Sequence, residues 1–282
     1  MLFEIHNPVF SQTKKYSFRD SAAFIENGVI HLFFTLVENR EDGQYFYVAK
    51  SESLDFSRWT SPVILTEGDK TKNYSSPGNV IQKDEAYILC LQSYPRPNGE
   101  KFGNDDSRIY TIKSPDLIHW TEPELLMVKG DVPVKNMGRM IDPYILEDNG
   151  EYLCFYKQNG VSFSTTKDLA HWTFLGRADC GENVCVLKKN GVYMIFHSPQ
   201  NGIGLMSTTD FRQYTDCGVT TLYQSDWTWA KDRITAGFVL DISELDYPYR
   251  YAMFFHGDNE DNYLFGASIG VVFGVDLHTW VI

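Results

Sequence analysis

The sequence predicts an all-β chain folded as a five-bladed β-propeller. Three observations carry that expectation. A short segment of fixed pattern recurs five times. Each copy is preceded by a tight turn leading into an apolar strand. No stretch shows the sustained i, i+3, i+4, i+7 apolar spacing of an amphipathic helix.

The recurring segment reads SLDFSRWT (53–60), SPDLIHWT (114–121), TKDLAHWT (166–173), TTDFRQYT (208–215) and GVDLHTWV (274–281). Each copy has Asp, an apolar residue, two variable positions and then an aromatic: Trp59, Trp120, Trp172, Tyr214 and Trp280. Their simplest role is structural, the aspartates forming turns and the aromatics filling the space between blades. Upstream lie the turn-and-strand segments NGVIHLFFT (27–35), KDEAYILCLQS (83–93), NGEYLCFYK (149–157), NGVYMIFHS (190–198) and YPYRYAMFFHG (247–257). Asn-Gly suits a two-residue hairpin turn, whose central residues both need positive φ. A short apolar strand precedes each turn and another follows, so each unit reads as three strands with the Asp–Trp segment as the fourth. Antiparallel four-stranded units of this length are what a propeller blade requires. Five of them fill residues 1–282 as one domain, and LFEIHNPVF (2–10) is placed to close the ring.

Composition narrows the function. The chain has 282 residues, 43% hydrophobic and 15% aromatic, with 25 basic against 37 acidic side chains and a net charge of −12. An acidic surface repels phosphate backbones, so nucleic acid and anionic membranes are poor partners. There is no run of 18 apolar residues and no secretory leader pattern, which makes a cytoplasmic protein the default expectation. The five cysteines include no CxxC pair, and Cys90 and Cys154 sit in apolar runs as small core residues. Phosphate-binding glycine loops, GxSxG and HExxH are absent.

The first strand of each propeller blade lines the axis. Aligned on the turns, Asp20 lies seven residues before Asn27 and Asp142 seven before Asn149, while Glu182 lies eight before Asn190. Three acids from three blades therefore converge. Like charges raise one another's pKa, so one member can stay protonated near neutrality while another is ionised. That division suits glycosidic bond cleavage, in which one group protonates the leaving oxygen and another activates water or attacks the anomeric carbon.

Several further residues stand near these acids. Arg139, three residues before Asp142, can bind a sugar hydroxyl or orient an acid. Ser76 and Gln92 are candidates to line the second-blade wall of the site. Trp227, with Trp229 in the insertion YQSDWTWAKDR (223–233), is either a sugar-stacking wall or loop packing. His256 ends the fifth unit's second strand, where a histidine is either a hydrogen-bonded core residue or part of the site. The polar stretch 96–108 reads as a solvated loop that can also form a rim of the cleft.

In these motifs the chain resembles the five-bladed propeller glycoside hydrolases, especially family 43 and its relatives in families 32, 62, 68 and 117. The matching segments are FRDSAAF (18–24), MIDPYILEDNGEYLCFY (140–156) and GENVCVLKKNGVYMIFHS (181–198). Ser21 stands where a Pro is common and Asn183 where a Gly is common, which leaves the exact family open. The resemblance implies Asp20 as general base, Asp142 as the residue that tunes the acid and holds the sugar, and Glu182 as general acid. It implies an oligosaccharide substrate of arabinose, xylose or galactose type, inversion of configuration, and no required cofactor. Some relatives hold a cation, commonly calcium, at the axis beside a histidine, the place where His256 falls. Retaining relatives would use the first-blade Asp as nucleophile. Two alternatives remain: a propeller that binds sugar without cleaving it, and a phosphorylase-type relative, whose phosphate pocket would draw on Arg139 and Arg233.

Overall fold

The computed structural model describes residues 5–258 and 265–282. Its strands form five four-stranded antiparallel sheets, each in simple sequence order. The first blade is β1 (Tyr16–Glu26), β2 (Val29–Arg40), β3 (Gly43–Ser53) and β4 (Val63–Ile64); the second is β5 (Val80–Lys83), β6 (Ala86–Gln92), β7 (Ile109–Ser114) and β8 (Glu124–Leu125). The third is β9 (Ile141–Asp148), β10 (Glu151–Lys157), β11 (Val161–Thr166) and β12 (Thr173–Ala178). The fourth comprises β13 (Glu182–Lys189), β14 (Val192–Ser198), β15 (Ile203–Thr208) and β16 (Thr215–Thr220), and the fifth β17 (Arg233–Asp241), β18 (Tyr251–Asp258), β19 (Ser268–Gly274) and β20 (Trp280–Val281). Helix is confined to short 3₁₀ turns among the described residues, none long or apolar enough to cross a membrane.

The first strands close a ring. β1 packs beside β5 and β17, β9 beside β5 and β13, and β13 beside β17. Their backbones approach so closely that a Cβ on Gly78 would lie 1.7 Å from the carbonyl oxygen of Pro143. The hairpins use the expected chemistry, with Asn27-Gly28, Asn149-Gly150 and Asn190-Gly191 all at positive φ. The second blade makes the same turn with Asp84-Glu85, both at positive φ. The N-terminal segment joins the fifth blade: Val9 N–H donates to Ile269 O at 2.8 Å, and the Asn7 side chain bonds both backbone groups of Val271. It makes a single bridge, at Phe10, rather than a full strand, and residues 2–4 of the expected closing segment lie outside the described residues.

In the first four blades the Asp–Trp segment is the turn that leads into the fourth strand, because its aspartate captures the backbone that a strand would need; in the fifth, β20 is formed by the segment's own Trp280 and Val281. Asp168 Oδ1 accepts from the N–H of Ala170 and His171, and Asp55, Asp116, Asp210 and Asp276 do the same two and three residues on. The aromatic then folds back, with Trp59, Trp120 and Trp172 donating Nε1–H to the carbonyl three residues earlier. The rings pack between blades as expected: Trp59 against Phe254, Trp120 against Phe33 and Trp280 against Phe196. Cys90 and Cys154 are fully buried, and the cysteines are free thiols.

Candidate active site

The site grows from a bulge in the first strands of four blades and from an isolated bridge at the matching place in the second. One residue there sits opposite the second strand: Arg19 opposite Thr35, Ser75 opposite Gln92, Ile141 opposite Lys157, Glu182 opposite Ser198, Thr235 opposite His256. The next residue always has positive φ: Asp20 (49°), Ser76 (46°), Asp142 (52°), Asn183 (52°) and Ala236 (53°). Left-handed backbone at a non-glycine residue is uncommon, and its repetition around one axis marks a built feature. The turned backbone points its N–H at the preceding blade. Ser76 N–H donates to Thr35 Oγ1 at 2.7 Å, Asp142 to Gln92 Oε1 at 2.6 Å, Ala236 to Ser198 Oγ at 2.7 Å and Asp20 to His256 Nδ1 at 3.1 Å.

This register explains why Glu182 stands one residue out of line. Asp20 and Asp142 occupy the left-handed ring; in the fourth blade that place belongs to Asn183, and Glu182 holds the place of Arg19 and Ile141. The three carboxyls still share a cleft of about 570 Å³, which is lined by Arg19, Gln92, Arg139, Lys157, Arg233 and His256 among others. That volume lies within the range of small-ligand sites. The five left-handed residues also line a small axial cavity of about 20 Å³, room for a single water.

The carboxyls differ in charge state. Burial pushes Asp142 up, and the charges of Glu182 and Asp20 add to it, bringing it to about 7. Its Oδ1 accepts the Ser76 hydroxyl at 2.8 Å. Burial also raises Asp20, against the opposing charge of Arg19 and a hydrogen bond from Thr35 at 3.1 Å. Burial pushes Glu182 up as well, but the ammonium of Lys157, bonded to Oε2, and Arg233, 3.4 Å from Oε1, outweigh it and hold Glu182 below the ordinary carboxylate value. His256 is 1% exposed, and burial with the charges of Arg19 and Arg233 drives its pKa well down. It is neutral, so its 3.7 Å approach to Asp20 Oδ1 is not an ion pair. Because Nδ1 accepts from Asp20, Nε2 carries the proton; it is buried and has no partner among the described residues.

The other expected residues divide. Ser76, Gln92 and Arg139 adjoin the acids, and Arg139 donates through Nε to Gly103 O at 3.1 Å. Gly103 and Phe102 line the cleft, so the 96–108 loop does form part of its rim. Trp227 lies elsewhere. It is 8% exposed and stacks on Trp229 and Phe255, because the insertion folds over the fifth blade and buries its rings. The cleft's aromatic wall comes instead from Phe46, Tyr94, Phe102 and Phe265, a packed group in which Phe46 and Tyr94 stack at 6.0 Å.

The axis as arranged is a poor fit to calcium, which takes six to eight oxygen ligands. Among the described residues no three His, Cys, Asp or Glu side chains gather at metal distance, and the free nitrogen of His256 is a donor.

No protein-family model matches the sequence, and no curated protein matches it either. Solved structures share its fold. The chain is similar to the catalytic domain of a family 62 α-L-arabinofuranosidase from Coprinopsis cinerea, with 13% identity over 94% of both chains and a TM-score of 0.67. It is similar to the α-L-arabinofuranosidase of Podospora anserina solved in complex with cellotriose, with 15% identity, 94% of both chains and a TM-score of 0.65. A family 43 protein of Bacillus licheniformis matches over 99% of this chain but only 56% of its own, at 14% identity and a TM-score of 0.64.

Proposed function

We propose that the cleft hydrolyses glycosidic bonds in short oligosaccharides, by a single displacement that inverts the anomeric centre. The observation that carries this is the meeting of Asp20, Asp142 and Glu182, from three blades, in one cleft where burial keeps one carboxyl protonated near neutrality and two cations keep another ionised. Cleavage needs both kinds of group. An aromatic wall beside them suits the apolar face of a sugar ring. The fold shared with two arabinofuranosidases puts arabinose first among the sugars to try, with xylose and galactose next.

In this reading Asp20 activates water, Glu182 protonates the leaving oxygen, and Asp142 raises the pKa of Glu182 and bonds a sugar hydroxyl. The substrate-free site is not yet set for that. Its proton rests on Asp142, and Glu182 is an anion paired with Lys157. The pair is the resting state: a leaving-group oxygen seated against Glu182 displaces the ammonium, and the proton held by Asp142 passes to Glu182, which delivers it, leaving Asp142 as the carboxylate that raises Glu182.

A panel of nitrophenyl arabinosides, xylosides and galactosides tests the reading, with NMR following the anomer first released. Turnover with inverted product supports it. No turnover across the panel, with sugar still bound, identifies a non-cleaving propeller. Turnover that depends on phosphate identifies a phosphorylase.

A further inference from the structure

The cleft is more basic than cleavage of a neutral sugar demands. Arg19, Arg139, Lys157 and Arg233 all line it, in a chain whose net charge is −12. Lys157 and Arg233 are committed to Glu182. Arg19 and Arg139 form no ion pair with a carboxylate among the described residues. Arg19 lies 5.7 Å over the ring of Phe265, and Arg139 5.5 Å over that of Tyr94. Those two rings pack edge-on at 6.1 Å, so one aromatic support holds both guanidinium groups at the cleft wall. The described carboxyls near Arg19 form no ion pair with it: Arg19 and Arg233 oppose the burial that raises Asp20 and Asp258, and Asp20 takes its hydrogen bond from Thr35. Asp142 is pushed up to about 7 by burial and the charges of Glu182 and Asp20.

A guanidinium stacked on an aromatic ring can still present two N–H groups side by side to a planar or tetrahedral oxyanion; Arg139 gives Nε to Gly103 O and keeps its Nη1–Nη2 edge for this. We propose that Arg19 and Arg139 recognise an anionic substituent on the substrate, a carboxylate or sulfate ester carried by a sugar ring. The inference rests on the reading of the cleft as a glycan site and names the class of glycan.

The test is calorimetric titration of the intact chain with glucuronate, galacturonate, galactose 6-sulfate, glucose, galactose and inorganic phosphate. A hydrogen bond to a charged group contributes ~1.5–3 kcal/mol, so an anionic sugar is expected to bind about 10- to 100-fold more tightly than its neutral counterpart. Tight binding of the uronates alone or the sulfate alone identifies which oxyanion is read. Arg19→Gln and Arg139→Gln, each checked for an unchanged melting temperature, are expected to reduce that anionic-to-neutral ratio at least several-fold. Equal affinities, no binding by any anionic sugar, ratios unchanged in both variants, or inorganic phosphate binding as tightly as the anionic sugars would each overturn the proposal. Turnover of neutral aryl glycosides without anion preference removes this inference and leaves the hydrolase; anion-selective binding without turnover of any glycoside removes the hydrolase and leaves this inference.

Discussion

Lys157 and Glu182 break the fivefold pattern together. Lys157 holds the place in its blade's second strand at which, in the other blades, Thr35, Gln92, Ser198 and His256 each accept an N–H from the next blade. An ammonium cannot accept. Lys157 instead donates to the carboxylate of Glu182, the residue just before the one whose N–H the pattern would deliver. The exception to the ring is thus the ion pair that sets the charge of the proposed acid.

Replacing Lys157 by Met removes the cation that most lowers Glu182. With Glu182 as the acid, the alkaline limb of a kcat/KM profile moves to higher pH. The two side chains are 40% and 24% exposed, so solvent screens the pair and the shift is small. A profile that keeps its alkaline limb counts against Glu182 as the proton donor.

Asp142 makes stability depend on pH in a fixed direction. Its folded pKa of about 7 stands above the unfolded 3.8, so the native state holds a proton that the unfolded chain releases between those values. Its contribution is fully favourable below about pH 4 and is lost as pH rises toward and through 7. Asp142→Asn, which keeps an acceptor for Ser76, removes that loss. The variant should melt higher than the parent at pH 8, by on the order of 4 kcal/mol at most, and level with it near pH 4. Thermal scans at the two pH values decide it; an equal difference at both would show that burial does not hold the proton there.

Trp227 separates packing from sugar binding. Buried against Trp229 and Phe255, it behaves as a core residue, and truncation to Ala is expected to cost ~3–5 kcal/mol, with a large drop in melting temperature. A variant that melts normally but shows a raised KM would return Trp227 to the substrate.

The sequence revealed the blades because a tight turn leading into an apolar strand is a local signal repeated five times, three times with Asn-Gly at the turn. It misplaced the fourth strands of the first four blades because an Asp followed by an aromatic reads alike as strand or turn until the carboxylate's hydrogen bonds are seen. Asp20, Asp142 and Glu182 were legible through their distances from the turns. The same alignment, taken one residue earlier, points to Arg19, and the residue paired opposite that place on the second strand points to Lys157. The aromatic wall was not legible: Phe46, Tyr94 and Phe265 belong to different blades and meet only through propeller closure, with no spacing in the chain to announce it.

The most direct test of the central claim compares kcat/KM on the best aryl glycoside for the parent, Asp20→Asn and Glu182→Gln, each shown to be folded by its melting curve. The account predicts losses of roughly 10²- to 10⁴-fold in both, with Glu182→Gln sparing substrates whose leaving group needs no protonation. Parental rates in either variant would contradict it.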